Sequence, residues 1–155
     1  MLARLASFVV LVASGCGVPR DPDGTLERVR GGVLRVGVVD APPWVIFETG
    51  QPPRGREVLA ATRLAGSLGA DVAWVAGGET RLMAAMQAGS LDLVIGGLVE
   101  DSPYRDEVGL TRAYLECDDG EHVFAGPAGE NRWLMTVEAF LADAGIACAG
   151  PEPAP

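Results

Sequence analysis

The 155-residue chain has no lysine. Its twelve basic residues are all arginine, and twenty-one acidic residues outnumber them to leave a formal charge of −9. Such a chain is poorly equipped to neutralise a phosphate backbone, which argues against nucleic acid as a partner. It has one histidine and three cysteines. His122 has no cysteine or hydroxyl nucleophile at a recognisable spacing, and the cysteines lie far apart in sequence. Neither nucleophilic catalysis nor a zinc pattern is legible, and His122 reads as a structural or surface residue. No P-loop is present, and no Gly-x-Gly-x-x-Gly follows the first strand. The expectation is a non-enzyme without metal or cofactor. Long apolar runs are missing too. The N-terminal one, residues 5–13, is far short of the ~20 residues that cross a bilayer as a helix.

What is there begins with an export signal. Arg4 supplies a positive n-region, residues 5–13 are apolar, and Ser14 and Gly15 precede Cys16. That order is a secretory signal peptide, expected over residues 1–15. The small residues before Cys16 resemble the lipobox of bacterial lipoproteins, whose cysteine is acylated, with Ala13 where leucine is more usual. The alternative is an ordinary cleaved signal with an incidental cysteine. Residues 16–30, rich in proline and charge at 18–23, read as a tether. Residues 31–146 read as one lobe and residues 147–155 as a disordered Pro-rich tail. Forty-eight per cent hydrophobic composition suits a lobe of about 130 residues, which buries roughly two-thirds of its surface.

Within the lobe, strands alternate with helices. Residues 33–39 form a nearly continuous β-branched run, bounded by Gly31–Gly32 and by Asp40, Pro42 and Pro43. Residues 57–68 carry Val58, Ala61, Ala65 and Leu68 at helical spacing, with Gly69 as the stop. Strands are expected at 72–75 and 91–95, with a helix at 80–88 between them. Residues 102–107 read as one helical turn. Strands at 108–115 and 121–125 flank a hairpin turn at Cys117-Asp118-Asp119-Gly120. Residues 131–144 form the best amphipathic helix, with Leu134, Val137, Leu141 and Ala144 in one stripe and Asn131 as N-cap. The alternation implies an α/β fold with a parallel sheet.

Taken in order, these pieces resemble the extracytoplasmic solute-binding proteins of ABC transporters, of the amino-acid-binding, family 3 type. "LRVGVVDAPPWVIFETG" is similar to their opening strand and loop, and "GREVLAATRLAGSLGADVAWV" to their first helix and second strand. "RLMAAMQAGSLDLVIGGL" is the most specific match. "VGLTRAY" resembles the strand that leaves the first lobe, and "HVFAGPAGENRWLMTVEAFLAD" the strand and helix that return to it. The family places a second lobe between those strands, whereas only residues 116–120 lie there in this chain. The resemblance therefore implies a single periplasmic-binding-protein-like lobe. Its mixed five-stranded sheet would have the order 2-1-3-5-4, strand 5 antiparallel, with helices on both faces.

Ligands of open α/β sheets sit at the carboxyl ends of the parallel strands. That edge offers Asp40 and Trp44 after the first strand, Gly97 after the third, then Glu100 and Arg105. Trp44 supplies a stacking face, or else closes the core behind its Pro-Pro loop. Gly97 lets a ligand approach the backbone. Arg105 falls one residue from the place where the family holds an arginine for the ligand carboxylate, and it could pair with Asp101 or Asp106 instead. Glu100 and Asp101 bias the edge toward a cationic or polyol solute, or form a solvated loop. In the implied fold Cys117 and Cys148 meet at the hinge edge, as a disulfide or as two free thiols.

The implied partners are a small polar solute, an ABC permease or other membrane partner, and the membrane through a lipid on Cys16. A second copy of the chain in a homodimer is a candidate for the other wall of the cleft. Two other readings stand beside transport. One is an interaction or sensing module that uses the exposed cleft edge. The other is a truncated binding protein that only folds.

Overall fold

The structure is a computed structural model that describes residues 20–148. The signal peptide, Cys16 and residues 149–155 of the Pro-rich tail lie outside the described residues. The β-branched run forms β1 (Val33–Val38), paired in parallel on one side with β2 (Asp71–Ala76), from Val33 opposite Asp71 to Val38 opposite Ala76. On its other side lies β3 (Leu93–Ile95), also parallel. A strand so enclosed is largely apolar, and Arg35 is its one charged residue. The remaining positions go to β4 (Gly109–Leu110) and β7 (Ala125–Gly126). β7 runs antiparallel between β3 and β4, so the sheet order is β2-β1-β3-β7-β4. This is the expected order, with the returning strand antiparallel.

Each of the last two expected strands is broken in two. The chain leaves the sheet after β4 and re-pairs as β5 (Leu115–Cys117) with β6 (Gly120–His122), a separate hairpin around Asp118 and Asp119. Thr111 marks the break. Its N–H donates to the Phe124 carbonyl, but the Phe124 N–H returns to the Thr111 hydroxyl at 3.0 Å rather than to a backbone carbonyl. A side chain standing in for a ladder acceptor lets the strand turn away without stranding a buried amide.

Helices cover both faces. On one, α2 (Arg56–Ser67) and α4 (Asn131–Ala142) pack Ala61, Leu64, Trp133 and Val137 against Leu34, Val36, Val38 and Ile95. On the other, α3 (Glu79–Gln87) sets Leu82, Met83 and Met86 against Val94, Val123 and Ala125. At α4 the N-cap position belongs to Glu130, and Asn131, expected there, is already helical.

The largest departure is at the N-terminus. Residues 16–30 read as tether, yet Thr25–Val29 form α1 and bury Leu26 and Val29 in the core. The Glu130 carboxylate accepts the N–H groups of Asp23 and Thr25, both at 2.8 Å. Asp21 accepts the N–H groups of Leu26 and Trp133 at 3.2 and 2.9 Å. Both carboxylates satisfy orphan amides at helix starts, so the lobe begins at about Asp21 rather than at residue 31.

Cys117 and Cys148 are joined as a disulfide, Cα–Cα 5.7 Å, across 31 residues of chain. Replacing both by serine is expected to cost about 3 kcal/mol, from the added freedom of the unfolded chain. A urea melt checks it; a loss under about 1 kcal/mol would mean that the hairpin and the chain end are held without it. Among the described residues, the exposed large apolar side chains are Val33 and Met135. No helix there is long and apolar enough to cross a membrane.

Candidate functional site

The carboxyl edge is built from the loop after β1, the turn after β3 and the start of α2. The Asp40 carboxylate accepts the Phe47 N–H at 2.9 Å and pins the first loop. Trp44 is only 5 % exposed. Its ring lies 4.1 Å from that of His122, centroid to centroid. A Cβ on Gly97, at φ +66°, would meet Trp44 Cδ1 at 2.6 Å. Gly97 is thus required to admit the indole, and Trp44 closes the core, as one of its two readings held.

Beneath this edge lies Glu57, fully buried. Its carboxylate accepts the Gly96 N–H at 2.6 Å, the Gly97 N–H at 3.2 Å and the Tyr114 hydroxyl at 2.6 Å. The amides that the turn after β3 could offer to a ligand are taken internally. Burial pushes the Glu57 carboxyl above its ordinary range, against the hydrogen bonds from Tyr114, Gly97 and Gly96 that favour its charge. Burial, and then the Glu57 charge, push the Tyr114 phenol up. At the start of α2 the Arg56 and Glu57 N–H groups donate to the carbonyls of Pro43 and Trp44, so that helix end is also occupied.

The five expected ligand residues do not converge. Glu100 and Arg105 share one shallow open cleft with Val99, Asp101, Asp119, Gly120 and Glu121. Asp40 lines a separate groove with Phe47 and Ala76. Trp44 lines a third, beside Pro42, Glu116 and the disulfide. The first cleft is strongly acidic, with Arg105 as its basic residue. The Glu100 N–H donates to the Glu121 carbonyl at 2.9 Å, and Val99 bridges His122, which brings the hairpin to the loop after β3. Hydrogen bonding to Glu100, then its charge, push the Glu121 carboxyl up. Adjacent carboxylates that resist sharing two charges favour an incoming cation.

One buried acid escaped the sequence reading. Asp92 is fully buried and accepts Arg28 Nη2 at 2.7 Å, Arg35 Nη2 at 2.6 Å, Arg35 Nε at 3.0 Å and the Arg35 N–H at 2.9 Å. Burial alone would raise its carboxyl, but the two guanidiniums outweigh it and hold it below the usual range. The signal was an acid inside the apolar run Leu91–Leu93–Val94–Ile95, where unpaired acids are almost never found. His122, fully buried, places Nε2 3.0 Å from Asp119 Oδ1, and among the described residues its Nδ1 has no hydrogen-bond partner. The hydrogen bond to His122 holds the exposed Asp119 carboxyl down.

A mixed sheet of this order, with helices on both faces and acidic loops at one edge, is the architecture of a single solute-binding-protein lobe. Solved structures bear this out. The chain is similar to domain 1 of the T. maritima arginine-binding protein in its arginine-bound form. The TM-score is 0.68 at 20 % identity, with 76 % of this chain and 97 % of that one covered. It is similar to an ancestral cationic amino acid solute-binding protein at a TM-score of 0.51 and 28 % identity, covering 59 % of this chain and 40 % of that one. It is also similar to an ancestral cyclohexadienyl dehydratase at 0.50 and 31 % identity, over 57 % and 37 % of the two chains. No protein-family model matches the chain, and no curated protein does.

Proposed function

We propose that this chain is a single-lobed, extracytoplasmic solute-binding protein for a small polar solute with a cationic group. It would be held at the membrane by a lipid on Cys16 and linked to an ABC-type permease. The observation that carries the reading is the near-complete cover of one isolated, arginine-bound domain by this lobe. The acidic cleft of Glu100, Asp101, Asp119 and Glu121 agrees with it, because several carboxylates around one opening attract a cation without needing an enclosing wall. Asp40 and Trp44 shape the neighbouring edge. Arg105 would meet a solute carboxylate. The reading is of a binder and not an enzyme. It draws on the absence of any nucleophile–base pair in the sequence, although one similar structure is named for a dehydratase.

One lobe encloses less of a solute than the ~70–90 % typical of a small-molecule site. A second copy or a partner lobe would supply the rest. Calorimetry with arginine, against glutamate as control, tests the reading. The wild type is expected to bind arginine and not glutamate. Glu100→Gln with Glu121→Gln should weaken binding about tenfold, near 1.4 kcal/mol. Equal affinity for both solutes, or an unaffected double variant, would overturn the cationic assignment. Capture of a membrane protein without any solute would favour the interaction module. Neither result, with a cooperative melt, would leave a chain that only folds.

A further inference from the structure

Three chemically different donors meet where the β5–β6 hairpin turns. Cys117 ends β5, Asp119 sits in the two-residue turn and His122 ends β6. The register that sets Cys117 opposite Gly120 folds the three together, and one donor atom from each lies within 4.8 Å of the others. Cys148 Sγ is bonded to Cys117 Sγ and so lies at the same corner. A second observation singles out the imidazole. His122 is fully buried with Nε2 3.0 Å from Asp119 Oδ1, and among the described residues its Nδ1 has no hydrogen-bond partner, a state rare for a buried polar atom. Sulfur, imidazole and carboxylate together are the donor set of zinc and of its tetrahedral surrogate cobalt(II).

We propose that opening the Cys117–Cys148 disulfide turns this corner into a site for a zinc-class divalent cation, held by Cys117, Asp119 and His122 with Cys148 as the fourth donor. The reductant is a dithiol. It gives two electrons and two protons, the S–S bond breaks, thiols form on Cys117 and Cys148, and the dithiol closes to its own disulfide. Metal binding then releases the thiol protons to solvent. While the disulfide is closed both sulfurs are spent on each other, and the site is off. Tetrahedral bonds of about 2.0–2.3 Å need Cys117, Asp119 and His122 closer than they stand, and need the two sulfurs, once their bond is open, to part. Asp119, with a side chain 62 % exposed, is free to supply that movement. The sequence shows no zinc spacing because the ligands come from one tight turn and from Cys148, 26 positions beyond His122.

The test uses the full mature chain, reduced with dithiothreitol, desalted without air and titrated with cobalt(II). Reduced protein is expected to bind one equivalent and to develop thiolate-to-cobalt charge-transfer and tetrahedral d–d absorption. The oxidised protein should develop neither. Asp119→Asn and His122→Gln should each weaken binding at least tenfold, and Cys117→Ser should abolish the charge-transfer band. Because His122 is buried, circular dichroism accompanies its variant, and the exposed Asp119 variant carries the test if that one unfolds. Absence of the bands from reduced wild type would overturn the proposal. So would Asp119→Asn binding as tightly as wild type, which would reveal a bare dithiol pair.

Discussion

Glu57→Leu is expected to lower the stability of the lobe by about 4 kcal/mol, a fall in melting temperature of about 15 °C for a domain of this size. Leucine fills nearly the same volume, so cavity formation contributes little. The loss is in hydrogen bonding. Gly96 N–H, Gly97 N–H and the Tyr114 hydroxyl all donate to this one carboxylate, and the substitution strands them together. Each unsatisfied buried donor costs about 1–3 kcal/mol. Relief of the burial of a carboxyl offsets part of that sum. Glu57→Gln keeps an acceptor and should cost well under half as much. It should also change the pH profile. Burial raises the Glu57 carboxyl above its ordinary 4.5. In the interval above that value the folded protein therefore holds more protons than the unfolded chain, and stability falls as pH rises through it. Urea melts across that interval should slope downward for wild type and more weakly for Glu57→Gln. A leucine variant within about 1 kcal/mol of wild type would remove the network from any account of the fold.

Asp92→Ala should be of similar size, about 3–4 kcal/mol, with the opposite pH signature. The carboxylate is fully buried and ties Arg28 and Arg35 to the start of β3. Removing it leaves two guanidiniums facing each other. Both are partly exposed and can turn to water, which keeps the cost below that of a sealed ion pair. The Arg35 N–H, which also donates to Asp92, has no such escape. Because the Asp92 carboxyl is held below its ordinary 3.8, its contribution is present above that value. It is lost as pH falls through the depressed folded value. Wild type should therefore weaken in acid more steeply than Asp92→Ala. Parallel acid limbs would sink the assignment of Asp92 as a charged anchor.

Much of the scaffold was legible because its cause is local. Val58, Ala61 and Ala65 recur at helical spacing, and the β-branched run at 33–38 has little alternative to a buried strand. The sheet order came from resemblance, while the antiparallel return was already legible in the hairpin turn at Asp119-Gly120. What stayed hidden was set by distant partners. Five residues at Thr25–Val29 are too few to show periodicity, and the first of their amides, that of Thr25, is satisfied by Glu130, more than a hundred positions away. The break after β4 depends on one hydroxyl, Thr111, which the pattern of apolar residues does not record. Asp40, Trp44, Gly97, Glu100 and Arg105 all fall at the expected edge. Position along a strand cannot tell which neighbouring depression a loop residue enters: Asp40, Trp44, Glu100 and Arg105 divide among three, and Gly97 lines none of those. The internal occupant of the Gly96–Gly97 amides was equally invisible, because Glu57 looks like an ordinary first-turn acid.

The clasp between the two ends of the lobe also sets a timetable. Asp21 reaches Trp133 across 112 residues and Thr25 reaches Glu130 across 105, while β7, among the last strands made, lies inside the sheet between β3 and β4. The first helix packs on β1 but lacks its other support until α4 has been synthesised. A nascent chain of this design stays unsettled until it is almost complete, because its closing contacts span most of its length. For a polypeptide exported as proposed, such lateness would be an advantage: the lobe would lock only once both of its ends had arrived on the same side.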